Sequence, residues 1–239
     1  MLGIALVLLS ALLYGLHYLI FHDAHHIYIY LLGDIAFVPV EVLIVTLIIH
    51  RFLSSREKRI FLEKLNMLIG VFFSEIGTDL IRTFAAMDPD VHKLRAKLQI
   101  DTDWPDDKWE RIELFLRNYG YSIEPDVAGF ERARDILKVK QFLLLELLAN
   151  PNLLEHDKFT GLLWGVFHLM GESMARPSFE ALPKADMEHI AGDIKRAYAL
   201  LVHQWLDYMR HLKKNYPYLF SLAVRTNPFD PDASPVIEG

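Results

Sequence analysis

The first fifty residues contain no Lys or Arg, although the chain carries 25 basic residues in all. Residues 2–21 form an apolar run without a formal charge, and residues 27–49 form a second run that holds two acids, Asp34 and Glu41. About 20 consecutive apolar residues in a helix cross the hydrocarbon core of a bilayer. Two such runs, separated only by the polar knot at 22–26, predict a transmembrane helical hairpin with spans at about 2–21 and 27–49. A cleaved signal peptide fits the first run poorly. It has no positive leader, its apolar stretch is too long, and a second span follows at once. Burial of both runs in a soluble core is the further alternative, and their length argues against it.

Orientation follows from the basic residues. Arg51, Arg56, Lys58 and Arg59 flank the second run, and the knot has no basic residue other than histidine. The positive-inside rule predicts a multi-pass protein of the cell membrane, with both termini and residues 51–239 cytoplasmic and the knot outside. Tyr14, Tyr18, Tyr28 and Tyr30 gather toward the outer end, as an interfacial aromatic belt does.

One histidine and two acids lie within these runs: His17, Asp34 and Glu41. The two acids are seven residues apart, so they share a helix face at a separation of about 10 Å. An ionisable group at the centre of a span costs ~2.5–3.5 kcal/mol on insertion scales and faces protein or water. His17 reaches the level of Asp34 if the hairpin is tight. Pro39 between the acids loosens the local hydrogen bonding and predicts a kink. One reading is a seam that carries protons or ions. The other is that the protonated acids pair across helix interfaces and hold subunits together. The second is favoured, because a hairpin alone cannot enclose a pathway.

The knot itself holds His22, Asp23, His25 and His26, all capable of binding metal. Adjacent histidines do not easily address one ion, however, and a short polar bend needs such residues in any case. A response to external pH through these histidines is a further reading.

Three of the 31 acids lie in the first fifty residues, so the remainder carries 28 acids against 25 bases. That near-neutral balance, without a basic block, argues against a nucleic-acid partner. The absence of cysteine excludes disulfides, thiolate metal sites and a cysteine nucleophile.

Residues 51–239 read as a helical body. Between 51 and 86 there is no proline, and apolar residues recur at Phe61, Leu65, Leu68, Phe72 and Ile76. That spacing predicts a stalk helix over 51–88, packing on a partner or on the rest of the domain and broken at Asp88-Pro89. A helical domain is expected over 89–215. Its helices are expected at 90–99, from Asp103 as N-cap to Gly120, at 130–149, at 157–175 and at 184–215. The tail, 216–239, is rich in aromatics and proline; it is expected to dock and then lose regular structure. No strand-like alternation and no repeat occurs. The predicted fold is all-α, with a membrane hairpin continuous with a cytoplasmic bundle.

No phosphate-binding glycine loop and no hydrolase, zincin or kinase signature is present. Two polar constellations remain. His168 and Glu172 are one turn apart on an otherwise apolar helix, and Glu146 is isolated among leucines on the preceding one. Together they predict a buried polar cluster, with a carboxylate–histidine metal site as its sharper reading. Gly161 and Gly165 on the same face predict close approach of another helix. The second constellation is His189, Asp193, Arg196, His203, Asp207 and His211 along the last long helix. It reads as that helix's polar face, opposite Ile190, Ile194, Ala197, Tyr198, Leu201, Trp205 and Leu212. His203, Asp207 and His211 are at a spacing that can share a metal. No cofactor is required by any of these patterns, and a metal ion is the only one they accommodate.

Two classes of function follow. The first is a membrane-anchored interaction, scaffold or regulatory module without catalytic residues, with the lipid bilayer and either a homo-oligomer or another membrane or cytoplasmic protein as partners. The second is a membrane-bound metalloprotein or ion-handling protein.

Overall fold

The computed structural model describes residues 2–153 and 156–237. The side chains of residues 2 and 52–62 lie outside that description, and with them the basic flank at Arg56, Lys58 and Arg59 and the first apolar position at Phe61. Helices are the regular secondary structure of the described residues, which contain no strands. They divide into two compact units, Met1–Ile60 and Phe61–Gly239.

In the first unit, α1 covers Leu2–Phe21 and α2 begins at Ala24. Both contain a stretch long and apolar enough to cross a membrane, Gly3–Phe21 and Ala24–Arg51, and neither stretch is buried within the chain. The turn between them is made by two residues. His22 adopts a left-handed backbone, φ 54°. Asp23 then accepts a hydrogen bond from the backbone N–H of His26 at 3.1 Å. Asp23 thereby caps α2, satisfying one of the N–H groups that a helix start leaves unpaired. The same bond holds the Asp23 carboxyl below its usual pKa. Helix α2 runs Ala24–Phe72 and continues through Pro39 without a break.

In the second unit, residues 65–84 of the segment expected as a stalk pack on the rest of the domain and contribute to its core. Leu65, Ile69, Phe72, Phe73, Ile76, Leu80, Ile81 and Phe84 are all buried. Its helix is also interrupted. α2 passes into a π-helical turn at Phe73–Gly77, followed by α3 at Thr78–Ala85. Gly77 is required there: a Cβ on it would come within 2.5 Å of Phe73 Cδ1 and 3.0 Å of Phe72 Cε1. The wider turn leaves Phe72 and Phe73, adjacent in sequence, both inside. Phe72 packs edge-on against Phe159 and Phe73 stacks on Tyr208.

The remaining helices are α4 (Val91–Leu98), α5 (Asp106–Arg117), α6 (Val127–Val139), α7 (Gln141–Leu148), α8 (Asp157–Met174), α9 (Lys184–Asn215) and α10 (Pro217–Arg225). Helix α9 packs on α3, α5, α8 and α10. The apolar stripe expected on it is buried at every named position.

Two local expectations change. Helix α5 starts after Pro105, not at Asp103, and no side chain caps it. Asp106 and Asp107 instead place negative charge at its positive end. The expected 130–149 helix starts earlier, at Val127, capped by Asp126, and is broken at Lys140. Lys140 reaches Glu75 on the π turn at 2.7 Å. The tail contains a helix, α10, and its docking is specific. Buried Asn227 donates to the carbonyl of Leu98 at 2.7 Å, closing the C-terminal end of α4, and accepts from the N–H of Phe229 at 3.0 Å. Phe229 is fully buried against Trp205.

Candidate functional site

The clearest polar constellation lies between α8 and α9. His168 and Glu172 project from α8, one helical turn apart. His189 and Asp193 project from α9 at the same spacing. The two pairs interlock. His168 Nε2 lies 3.2 Å from Asp193 Oδ2, His189 Nε2 lies 3.5 Å from the same oxygen, and His189 Nε2 lies 3.6 Å from Glu172 Oε2. Both histidine rings are about half exposed, whereas the Asp193 side chain is only 3% exposed. Ligand-capable atoms of Glu172, His189 and Asp193 all lie within 4.8 Å of one another.

Two arginines orient the carboxylates. Arg176 binds Glu172 at 2.9 Å and Asp186 at 2.6 Å, bridging the end of α8 to the start of α9. Its hydrogen bond holds the Glu172 carboxyl below its usual pKa, and the same is true of Asp186. Arg196 binds Asp193 Oδ1 at 3.1 Å. The other oxygen, Oδ2, is buried and accepts no hydrogen bond.

The cluster forms with different members from those expected. His168 and Glu172 are in it, but Glu146 is exposed on α7. His168 is half exposed, so this is no sealed polar pocket in the core. The missing partners are His189 and Asp193, from the stripe expected to be the polar face of α9. The signal available was the repeated order, His then acid four residues on, in two successive helices. Close approach of α8 and α9 is consistent with Gly165, where a Cβ would sit 3.3 Å from Leu200 Cδ1; at Gly161 nothing lies within 4 Å.

The lower half of that stripe does not converge. His203 and Asp207 line a cleft with Glu113, Arg117 and Lys158. His211 instead borders a separate cleft with Met67, Gly70 and Tyr216. Desolvation lowers the pKa of both His203 and His211.

In the hairpin, Asp34 is approached by Tyr14, whose hydroxyl lies 3.5 Å from Oδ2. His17 turns instead to the ring of His26, 6.3 Å away, and to Phe21. Glu41 is exposed, and among the described residues no hydrogen bond to it is present. In the knot, Asp23 serves as a helix cap; His25 and His26 follow it inside the first turn of α2. A groove of about 500 Å³ runs along the hairpin, lined by Leu6, Leu13, Tyr14, His17, His26 and Tyr30.

With this geometry in place, comparison with known proteins gives one consistent match. Residues 61–225 match the family described as uncharacterized protein MJ1433, C-terminal helical domain. Residues 1–53 match its N-terminal helical domain. The chain is 44% identical to uncharacterized protein MJ1433 of Methanocaldococcus jannaschii over 228 residues, covering 95% of this chain and 92% of the relative. No solved structure matches the chain.

Proposed function

The chain belongs to the MJ1433 family, and from that premise we propose that it is a membrane-anchored interaction, scaffold or regulatory module. Its hairpin sits in the bilayer, and its helical body meets a partner at the cytoplasmic face. One observation carries this reading: two successive helices, each long enough to span, present apolar side chains around their whole circumference. Burial removes about 25 cal/mol for each Å² of apolar surface taken from water, so such helices are stable only when lipid or protein covers them. The second unit needs no such cover, since it closes its own core.

The partner class follows from charge and from the hairpin. A near-neutral body disfavours nucleic acid. Glu41 supports a homo-oligomer or another membrane protein as partner, because an ionisable group inside a span requires a polar neighbour. The basic residues that follow α2's apolar stretch support the cytoplasmic placement of residues 51–239.

Alkaline carbonate extraction of membranes from cells expressing the full chain tests the anchor. Retention in the pellet is expected; complete release to the supernatant overturns it. The metalloprotein alternative is favoured by a different observation, the Glu172–His189–Asp193 grouping.

A further inference from the structure

We propose that Glu172, His189 and Asp193 bind one divalent transition-metal ion of the Zn²⁺ class, with His168 beside the Asp193 ligand. This assignment goes beyond the membrane reading and holds whether or not the hairpin enters a bilayer.

Three observations carry it. The first is spacing. Metal–ligand bonds of about 2.0–2.2 Å in a tetrahedral site separate neighbouring donors by roughly 3.3–3.6 Å. His189 Nε2 lies 3.5 Å from Asp193 Oδ2 and 3.6 Å from Glu172 Oε2, so two edges of such a site already exist. The second is the orphaned oxygen. Asp193 Oδ2 is buried, accepts no hydrogen bond, and points at both histidines. A buried carboxylate oxygen without a donor is costly unless a cation or proton meets it. The third is the outer layer. Arg196 holds Asp193 Oδ1 and Arg176 holds Glu172 Oε2, as hydrogen-bonded neighbours that orient metal-ligating carboxylates do.

The donor set selects the class of ion. One imidazole and two carboxylates, with no thiolate available, suit Zn²⁺, Mn²⁺ or Fe²⁺ better than Cu⁺. Three protein ligands leave a position for water or an exchangeable group. His168 Nε2 lies 3.2 Å from Asp193 Oδ2, beside one of the proposed ligand atoms. Because the ligands come from both α8 and α9, an ion would clamp the two helices together.

The test uses the full-length protein, purified in detergent without an affinity tag and titrated with Zn²⁺ against a competing chelator. About one equivalent is expected, together with a rise in melting temperature. Asp193→Asn and His189→Gln each remove a ligand, so each should weaken binding by at least about 100-fold, above the range for losing a residue that only supports a ligand. His168→Gln should weaken it less. Glu146→Gln and the double variant His25→Gln/His26→Gln should leave affinity unchanged. Circular dichroism confirms that each variant is folded. Zn²⁺ binding that survives both Asp193→Asn and His189→Gln, or that disappears only in the knot variant, overturns the assignment. So does the absence of binding by the wild type.

Discussion

Asp193 and His168 meet across two helices with 3.2 Å between carboxylate oxygen and ring nitrogen, the acid almost fully enclosed and the ring half in solvent. That asymmetry makes Asp193 the structural centre of the cluster and its histidines the adjustable parts. Replacing Asp193 by Ala removes the partner of Arg196 and both rings. It should lower stability by about 1.5–3 kcal/mol, the range for hydrogen bonds to charged groups. His168→Ala, exposed at its outer edge, should stay within about 1 kcal/mol. Urea unfolding of the two variants beside the wild type gives the comparison, and equal effects would show that Asp193 is not central.

The Arg176 bridge makes the body sensitive to acid. Glu172 and Asp186 both titrate below their ordinary range because Arg176 binds them. Their folded pKa values lie below the unfolded ones, so this contribution is complete above the ordinary carboxylate range. It disappears as pH falls through the depressed values. Arg176→Met should therefore destabilise the protein at neutral pH and flatten the loss of stability on acidification. Melting temperatures across an acid series would show parallel curves for the two proteins if the bridge were idle.

Glycines at helical positions separate by what surrounds them. At Gly77 an added methyl group meets two aromatic rings, whereas at Gly161 it meets nothing within 4 Å. Gly77→Ala should destabilise the body by about 1–3 kcal/mol through overpacking. Gly161→Ala should stabilise it by about 0.5–1 kcal/mol, since alanine favours the helix. Thermal melts of the pair decide the matter, and a shift of the same sign in both would contradict the packing described.

Asn227 anchors the tail through two buried backbone contacts. Asn227→Ala leaves the Leu98 carbonyl and the Phe229 N–H without partners, at a cost of about 1–3 kcal/mol each at most. Limited proteolysis should then cut after α10 sooner than in the wild type. Unchanged cleavage would mean that Phe229 alone holds the segment.

Because the natural chain lacks cysteine, single introduced thiols report topology directly. Asp23→Cys in intact cells should react with a membrane-impermeant maleimide. Lys184→Cys, whose native side chain is 91% exposed, should react only after lysis. The opposite pattern would invert the proposed orientation.

The hairpin and α9 were legible in sequence because a single force sets each: unbroken hydrophobicity in one, strict amphipathic spacing in the other. The boundary of the body was not. Residues 65–84 carry a periodicity that suits packing on a partner as well as on the body, and only tertiary contact reveals that Phe72 and Ile76 belong to the body's own core. The break at Lys140 was hidden because QFLLLELL continues the apolar pattern on both sides. The cluster was half legible. His168 and Glu172 stood out on an apolar helix, but Asp193 lay among other polar residues of α9. Its burial depends on how α8 crosses α9, which no local pattern encodes. Glu146 stands out for its apolar neighbours, but only Leu144 and Leu147 among them are buried, and it shares the exposed side of α7 with Phe142 and Leu145.

The π turn at Phe73–Gly77 also bears on how this chain tolerates change in length. A π turn holds one more residue per hydrogen-bonded loop than the helix on either side. Loss of one residue within it would convert the segment to ordinary α-helix and keep both flanks hydrogen bonded. The same loss elsewhere in the helices of the body would rotate every later side chain by about 100°. This five-residue stretch is therefore the place in the body's helices where relatives of different length can differ by a single residue and still build the same ladder.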